Sequence, residues 1–511
     1  MNGEIIRGRD HPGDLEFGAD VVVIGSGAAG AVVAAYLAEA GQDVVVIEEG
    51  GYHTPEQYGR YRPSEHIRHL WRDSGMTFTF PLGDSPAINM MLGRCVGGSS
   101  VLTGGVCFRT PDWVLDEWSR EHGLTGLTPA AMAPIFEEVE RICHIREVPV
   151  EMRSRSTALF GEGAARRGHP LKPTRRNTKG CNGCGKCNFG CPDRAKLSVD
   201  ITYLPRALAA GARIYSDCLV DKVETRDGRA VGVVGRILIG PNRRRGARLR
   251  VRASRVVVAA GAWHSPLLLK KSGVGRDSDQ VGRNLTLHPS FRVMARFDER
   301  VEGWRGALQS AYSDAFEDQG FTLMSVFAPA GALAATMPGV GEEHARNVRN
   351  IPYLAMFGGL IHDEGNGVIR RAIGREPFVS YRLSATDRNK VNRMLRTIAE
   401  DFFAAGAREV TLPILGERAF TADRFRRFDL EKVSARRFEC ASQHPLGTCR
   451  MGVHPGSSVV DPDGQTWEVK DLFVVDGSVL PSSLGVNPQV SVMAMATRLA
   501  WKLADRRLPR S

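Results

Sequence analysis

The stretch ADVVVIGSGAAGAVVAAYLAEAGQDVVVIEEGG (Ala19–Gly51) constrains the fold more than any other part of the chain. Val21–Ile24 is a short, β-branched apolar run, which reads as a buried strand. It leads into Gly25-Ser26-Gly27-Ala28-Ala29-Gly30, an alanine-rich helix and a second apolar strand, Val44–Ile47. That order makes a βαβ unit with parallel strands. Gly25 permits the tight turn, Gly27 lets backbone approach a pyrophosphate, and Gly30 lets the helix pack on the sheet. The helix start offers free N–H groups and a partial positive charge to that phosphate. Glu48 ends the second strand, where an acid bonds ribose hydroxyls. The motif by itself suits NAD and FAD equally.

Two later segments repeat the strand–glycine–helix pattern: RVVVAAGAWHSPLLLKKSG (Arg255–Gly273), and DLFVVDGSVLPSS (Asp471–Ser483) with the helix that follows it. Nucleotide-binding elements at both ends and the middle imply a discontinuous cofactor domain, residues 15–290 with 440–511. Residues 291–439 would form the inserted domain, with a candidate strand in PFVSYRLSA and an amphipathic helix in DRNKVNRMLRTIAEDFFAAG. The expected fold class is α/β: a Rossmann-like cofactor domain and an α+β substrate domain, antiparallel sheet plus helices. Composition marks residues 168–180 and 338–347 as linkers.

The net charge of +11 is concentrated in PNRRRGARLRVRASR. Without interleaved aromatics this reads as a solvated hairpin tip, so no nucleic-acid partner is expected. There is no apolar run long enough to span a bilayer. The N-terminal residues show no export signal, so the expected location is cytoplasmic, with membrane association or co-export through a partner as alternatives.

The block GRCVGGSSVLTGGVCFRTPDW (Gly93–Trp113), with IEEGG, VGRNLTLHP, QHPLGTCRMG and VVDGSVLPSSLGVNPQVSVMAMA, resembles the glucose–methanol–choline (GMC) family of FAD-dependent oxidoreductases. Order and spacing agree over nearly the whole chain. The resemblance implies that Gly25, Gly27, Gly30 and Glu48 hold the ADP half of FAD. Arg94, Gly97, Gly98, Ser99 and Ser100 would line the flavin and pyrophosphate. Val220 would meet the adenine through its backbone, and Asp476 and Gly477 would reach the pyrophosphate and ribityl chain. Thr103 stands where the family often has Asn. Residues 93–110 contain no His, so the FAD is expected to be non-covalent.

His444 matches the family's active-site histidine and Asn487 its partner position. A His has a suitable pKa to take a hydroxyl proton while hydride leaves carbon for flavin N5. Asn can hold the same oxygen without competing for the proton. His264 and His288 fall off the catalytic positions and read as structural.

The chain further resembles a branch of the family with a cysteine-rich C-x2-C-x2-C-x3-C-P insertion: GCNGCGKCNFGCP (Gly180–Pro192), with Cys181, Cys184, Cys187 and Cys191. Its spacing is that of a bacterial ferredoxin run. Zinc more naturally uses two separated CxxC knuckles, and two disulfides packed so closely would be strained. An iron–sulfur cluster ([4Fe–4S] or [3Fe–4S]), a structural zinc and free thiols all remain open. Cys218 or Cys143 is an alternative ligand. The leading expectation is an FAD-dependent alcohol dehydrogenase whose electrons leave through the cluster to a cytochrome-like protein or a quinone. The alternatives are an O2-reducing oxidase with a structural cysteine loop, and a non-redox FAD-containing lyase.

Overall fold

The computed structural model describes residues 3–505. Strand Leu15–Ile24 is solvated over its first half and wholly buried from Val21 on. Helix Ala28–Glu39 and strand Val44–Ile47 follow as the βαβ pattern requires. They belong to an eight-stranded sheet in the order Ile5–Arg7, Arg213–Ser216, Val44–Ile47, Leu15–Ile24, Arg244–Val258, Arg229–Ile239, Cys218–Arg226, with Leu472–Val474 beside Arg244–Val258. The basic stretch of the sequence is the tip and return strand of the antiparallel pair Arg229–Ile239 and Arg244–Val258.

The register of this sheet positions the site. Ile24 pairs with Ile47 and with Val258, and Val258 with Val474. Four parallel strands therefore end in line. The residues just past them, Gly25, Glu48, Ala259 and Asp476, gather at one edge, where ligands bind in open α/β sheets.

The second sheet is mostly antiparallel, in the order Ile88–Met90, Cys440–Ser442, Ser290–Arg296, Leu354–Ile361, Phe321–Ser325, Ala311–Ser313, Lys172–Pro173. Three of these strands come from outside residues 291–439. Helix Ala385–Ala404, capped by the Ser384 hydroxyl, buries Val391, Met394, Leu395, Ile398 and Phe402 against it. Helix Arg155–Arg166 packs beside it, with Phe160 stacked on Phe357 at 3.7 Å between ring centres. The two segments read as linkers are structured. Residues 168–180 hold short strands, and 338–347 run into helix Glu342–Arg349. Their polar composition reflects exposure rather than lack of structure.

Candidate active site

A cavity of about 1270 Å³ runs along the strand ends and on between the two sheets. Its lining includes Val220, Gly25, Gly27, Glu48, Gly98, Ser99, Ser100, Asp476, Gly477, His444 and Asn487. Of the residues expected at the cofactor, Gly30, Arg94 and Gly97 are not part of this lining.

Gly25 has φ +101°, and a Cβ there would stand 2.3 Å from the Ala259 carbonyl oxygen. A Cβ on Gly30 would lie 1.9 Å from the Gly25 carbonyl oxygen, so only hydrogen lets the helix sit this close. Gly98, at φ +55°, faces Gly27 so closely that a Cβ would meet the Gly27 Cα at 2.8 Å. The first turn and the Gly93–Trp113 block thus meet backbone to backbone. Gly27 caps the helix with no side-chain bond, leaving N–H groups at the helix start for an anion.

The sequence reading missed Ser26, which ties these parts together. Its amide and hydroxyl donate to Glu48 Oε2 at 3.0 and 2.7 Å, and its Oγ accepts from Gly97 N at 3.0 Å. Glu48 Oε1 accepts from Gly50 N at 2.7 Å. Burial pushes the Glu48 carboxyl up from its ordinary range. Asp476 is fully committed to protein: Oδ2 accepts from Gly261 N (2.8 Å) and Ser265 Oγ (2.5 Å), and Oδ1 from Ser478 N (2.8 Å). It clamps two strand ends together, while Gly477 presents backbone to the cavity. Arg94 pairs with Asp73 at 3.1 Å. Thr103 Oγ1 donates to Gln489 Oε1 at 3.1 Å.

The far end of the cavity is set by strand Cys440–Ser442, parallel to Ile88–Met90, which delivers the chain to His444. The Asn487 amide nitrogen lies 3.2 Å from His444 Nε2. Thr322 of the second sheet donates to Gly485 O at 3.1 Å, fixing the Asn487 segment to that sheet. Both members of the pair are therefore held against the second sheet.

His288, read from sequence as structural, touches the pair: its Nδ1 is 3.3 Å from His444 Nδ1. His288 holds a left-handed backbone, φ 47°, a conformation uncommon outside glycine. Asp363 sustains it, accepting from the backbone of Leu287 and His288 (3.0 Å each), Ser483 Oγ (3.0 Å) and Tyr381 Oη (2.7 Å). Nothing in the sequence marks Asp363. Burial, reinforced by the neighbouring His288, holds His444 well below the usual imidazole range. Burial also holds His288 down at about 3.

The cavity fits a long dinucleotide with a polar-edged ring. It offers uncapped helix N–H groups midway, and its inner end carries two buried polar atoms without partners, Asn487 Oδ1 and Gln489 Nε2.

The four cysteines of the ferredoxin-like run line one small void of about 10 Å³, roughly the space of a single water. Among the described residues no group of three or more His, Cys, Asp or Glu side chains is arranged to hold a metal ion. Two buried cations share this void. Arg176 donates to Cys187 Sγ at 3.0 Å and to Gly104 O, while Lys196 Nζ donates to the carbonyls of Val101, Thr103 and Cys187. Of the nearby carboxylates, Asp200 bonds Ser198 and Tyr58, and Asp193, on the lining of the void, accepts from Asn182 Nδ2. The cysteine loop is therefore wired to the wall that carries Ser100 and Thr103.

The chain matches the GMC oxidoreductase N-terminal profile over residues 19–290 and the C-terminal profile over 375–496. An uncharacterized GMC-type oxidoreductase of Mycobacterium tuberculosis is 38% identical over 483 residues, 94% of this chain and 75% of that protein. A long-chain-alcohol oxidase of Arabidopsis thaliana is 28% identical, covering 95% of this chain and 66% of its own. The solved structure of pyridoxine 4-oxidase from Mesorbium loti superposes with a TM-score of 0.73 at 20% identity, covering 94% of this chain and 98% of that one. With its two-sheet fold, glycine-lined cavity and both family signatures in place, this chain belongs to the GMC family of oxidoreductases.

Proposed function

We propose that the protein oxidises an alcohol at its CH–OH carbon to an aldehyde or ketone, with non-covalent FAD in the long cavity. The observation that carries this reading is the His444–Asn487 pair, 3.2 Å apart, at the inner end of that cavity. FAD, when bound, supplies the hydride acceptor. Gly25, Gly27, Glu48 and the helix start would hold its ADP half, with Val220 at the adenine. Gly98 to Ser100, Gly477 and Gln489 would meet its inner part. His444 and Asn487 grip the substrate oxygen, and His444 takes its proton at Nε2. Burial keeps His444 uncharged at neutral pH, the state a proton acceptor needs.

The substrate side of the cavity is lined by Met76, Phe78, Met324, Phe327, Leu415 and Phe438. An apolar wall of this kind selects a bulky or long apolar alcohol over a sugar. The similarity to a long-chain-alcohol oxidase supports the same substrate class. Anaerobic mixing with an alcohol panel should bleach the flavin absorbance. His444→Ala should slow bleaching by about 10²–10⁴-fold; bleaching at the wild-type rate would remove His444 from the reaction.

For the electron acceptor, four thiols beside the buried Arg176 and Lys196 match an iron–sulfur centre in donor chemistry. As folded, the void is too small for a cluster. Iron and acid-labile sulfide in anaerobically purified protein would support this reading. Their absence, with peroxide formed under air, would make the protein an oxidase with a structural cysteine loop.

A further inference from the structure

Exposed large apolar side chains are ordinary when scattered and informative when gathered. Here Ile67, Met76, Phe78 and Leu415 line the cavity yet are 37, 69, 45 and 54% exposed. Beside them Phe80 and Phe378, 54 and 42% exposed, pack ring to ring at 5.4 Å on adjacent parallel strands. The hairpin tip before Phe378 adds a fully exposed Ile373. These residues come from four separate stretches of chain, so the fold itself brings them to one rim around a cavity mouth.

The rim is also cationic. Arg68, Arg371, Arg418 and Arg436 are exposed next to Ile67, Ile373, Leu415 and the cavity wall. Among the described residues Arg68, Arg371 and Arg418 form no ion pair. Most neighbouring acids already have partners: Glu65 accepts from Arg62 N, Asp84 from Ser434 and Ala435, Glu376 pairs with Arg72 and His264, and Glu417 with Arg424 and Arg437, while Glu439 is an exposed acid on the same rim. Apolar side chains flanked by exposed arginines suit the headgroup–acyl boundary of an anionic lipid surface. Among the described residues no helix is long and apolar enough to cross a membrane.

We propose that this rim docks on an anionic lipid surface and takes its alcohol from that surface directly into the cavity. The second half rests on the alcohol-oxidising reading; the docking does not. An apolar alcohol partitions into lipid, so a mouth open to that phase meets substrate at far higher concentration than one open to water.

The test uses the full-length FAD-loaded protein and vesicles of phosphatidylcholine, with or without phosphatidylglycerol. Cosedimentation is expected with the mixed vesicles, weakening as salt is raised. Phe80→Ser with Phe378→Ser, and separately Arg68→Gln with Arg371→Gln, should weaken it by roughly tenfold or more. None of these four lines the cavity, so flavin bleaching by a short water-soluble alcohol should stay at the wild-type rate. With a long-chain alcohol presented in mixed vesicles, the variants should lose most of the rate. Absence of vesicle binding, or variants that bind like wild type, would overturn the docking. So would a dimer, seen by sedimentation, that the same substitutions dissolve. Bleaching by soluble alcohols would still report on the active-site reading separately.

Discussion

His288 and His444 face each other through their Nδ1 atoms at 3.3 Å, and this contact decides where the protons sit. Leu484 N–H donates to His288 Nε2 at 2.8 Å. A backbone N–H can only donate, so the His288 proton is on Nδ1 and points at His444 Nδ1. A neutral His444 must then carry its proton on Nε2, facing Asn487. Turning the Asn487 amide gives that proton an acceptor in Oδ1, which otherwise has none. Proton uptake at Nε2 requires the other tautomer, so substrate binding has to break or reset the His288 contact.

Nitrogen NMR of the resting holoenzyme should therefore show His444 protonated at Nε2. His288→Leu removes the opposing donor and should give a mixture of tautomers. A wild-type His444 protonated at Nδ1 would refute the assignment.

Both histidines have folded-state pKa values below the unfolded value of about 6.5. The unfolded chain therefore binds protons first as pH falls. Their contribution to stability is complete above about pH 6.5 and declines below it, for His288 down to about 3. Each pH unit in that window costs roughly 1.4 kcal/mol per histidine. Chemical denaturation between pH 7 and 4 should show this slope, and His288→Leu should flatten it. The acid limb of flavin bleaching should lie below the ordinary imidazole pKa; a limb above neutrality would contradict the buried, uncharged His444.

Gly98→Ala places a methyl group against Gly27 in a left-handed backbone. The methyl group forces the two touching backbones apart and shifts the cavity wall they form, so FAD retention through gel filtration should fall at least tenfold while far-ultraviolet circular dichroism is kept. Gly30→Ala, by contrast, wedges helix from sheet at 1.9 Å and should impair folding itself. Equal flavin content in Gly98→Ala and wild type would show that this backbone contact does not shape the cofactor's wall.

Asp476→Ala leaves three buried donors, Gly261 N, Ser265 Oγ and Ser478 N, without their acceptor. The loss should be about 2–4 kcal/mol of stability, read as a lower denaturant midpoint in flavin-free and flavin-loaded protein alike. If only the loaded protein is destabilised, Asp476 acts on the cofactor rather than on the strand ends.

Much of the cofactor half was legible in the sequence because its constraints are local. The turn Gly25–Gly30, the helix after it and the strand Val44–Ile47 appear where the sequence puts them, because positive φ and close backbone approach each demand glycine at one position. The family signatures likewise carry His444 and Asn487 on their own segments. What tertiary structure decided are relations between distant segments. Ser26 became the link between Glu48 and Gly97, and Asp363 a clamp holding His288 against His444. Arg176 and Lys196 became buried partners of the cysteine loop. None of these residues lies in a pattern of its own; each acquires its role from groups brought beside it by sheet register and helix packing, which a linear spacing does not encode.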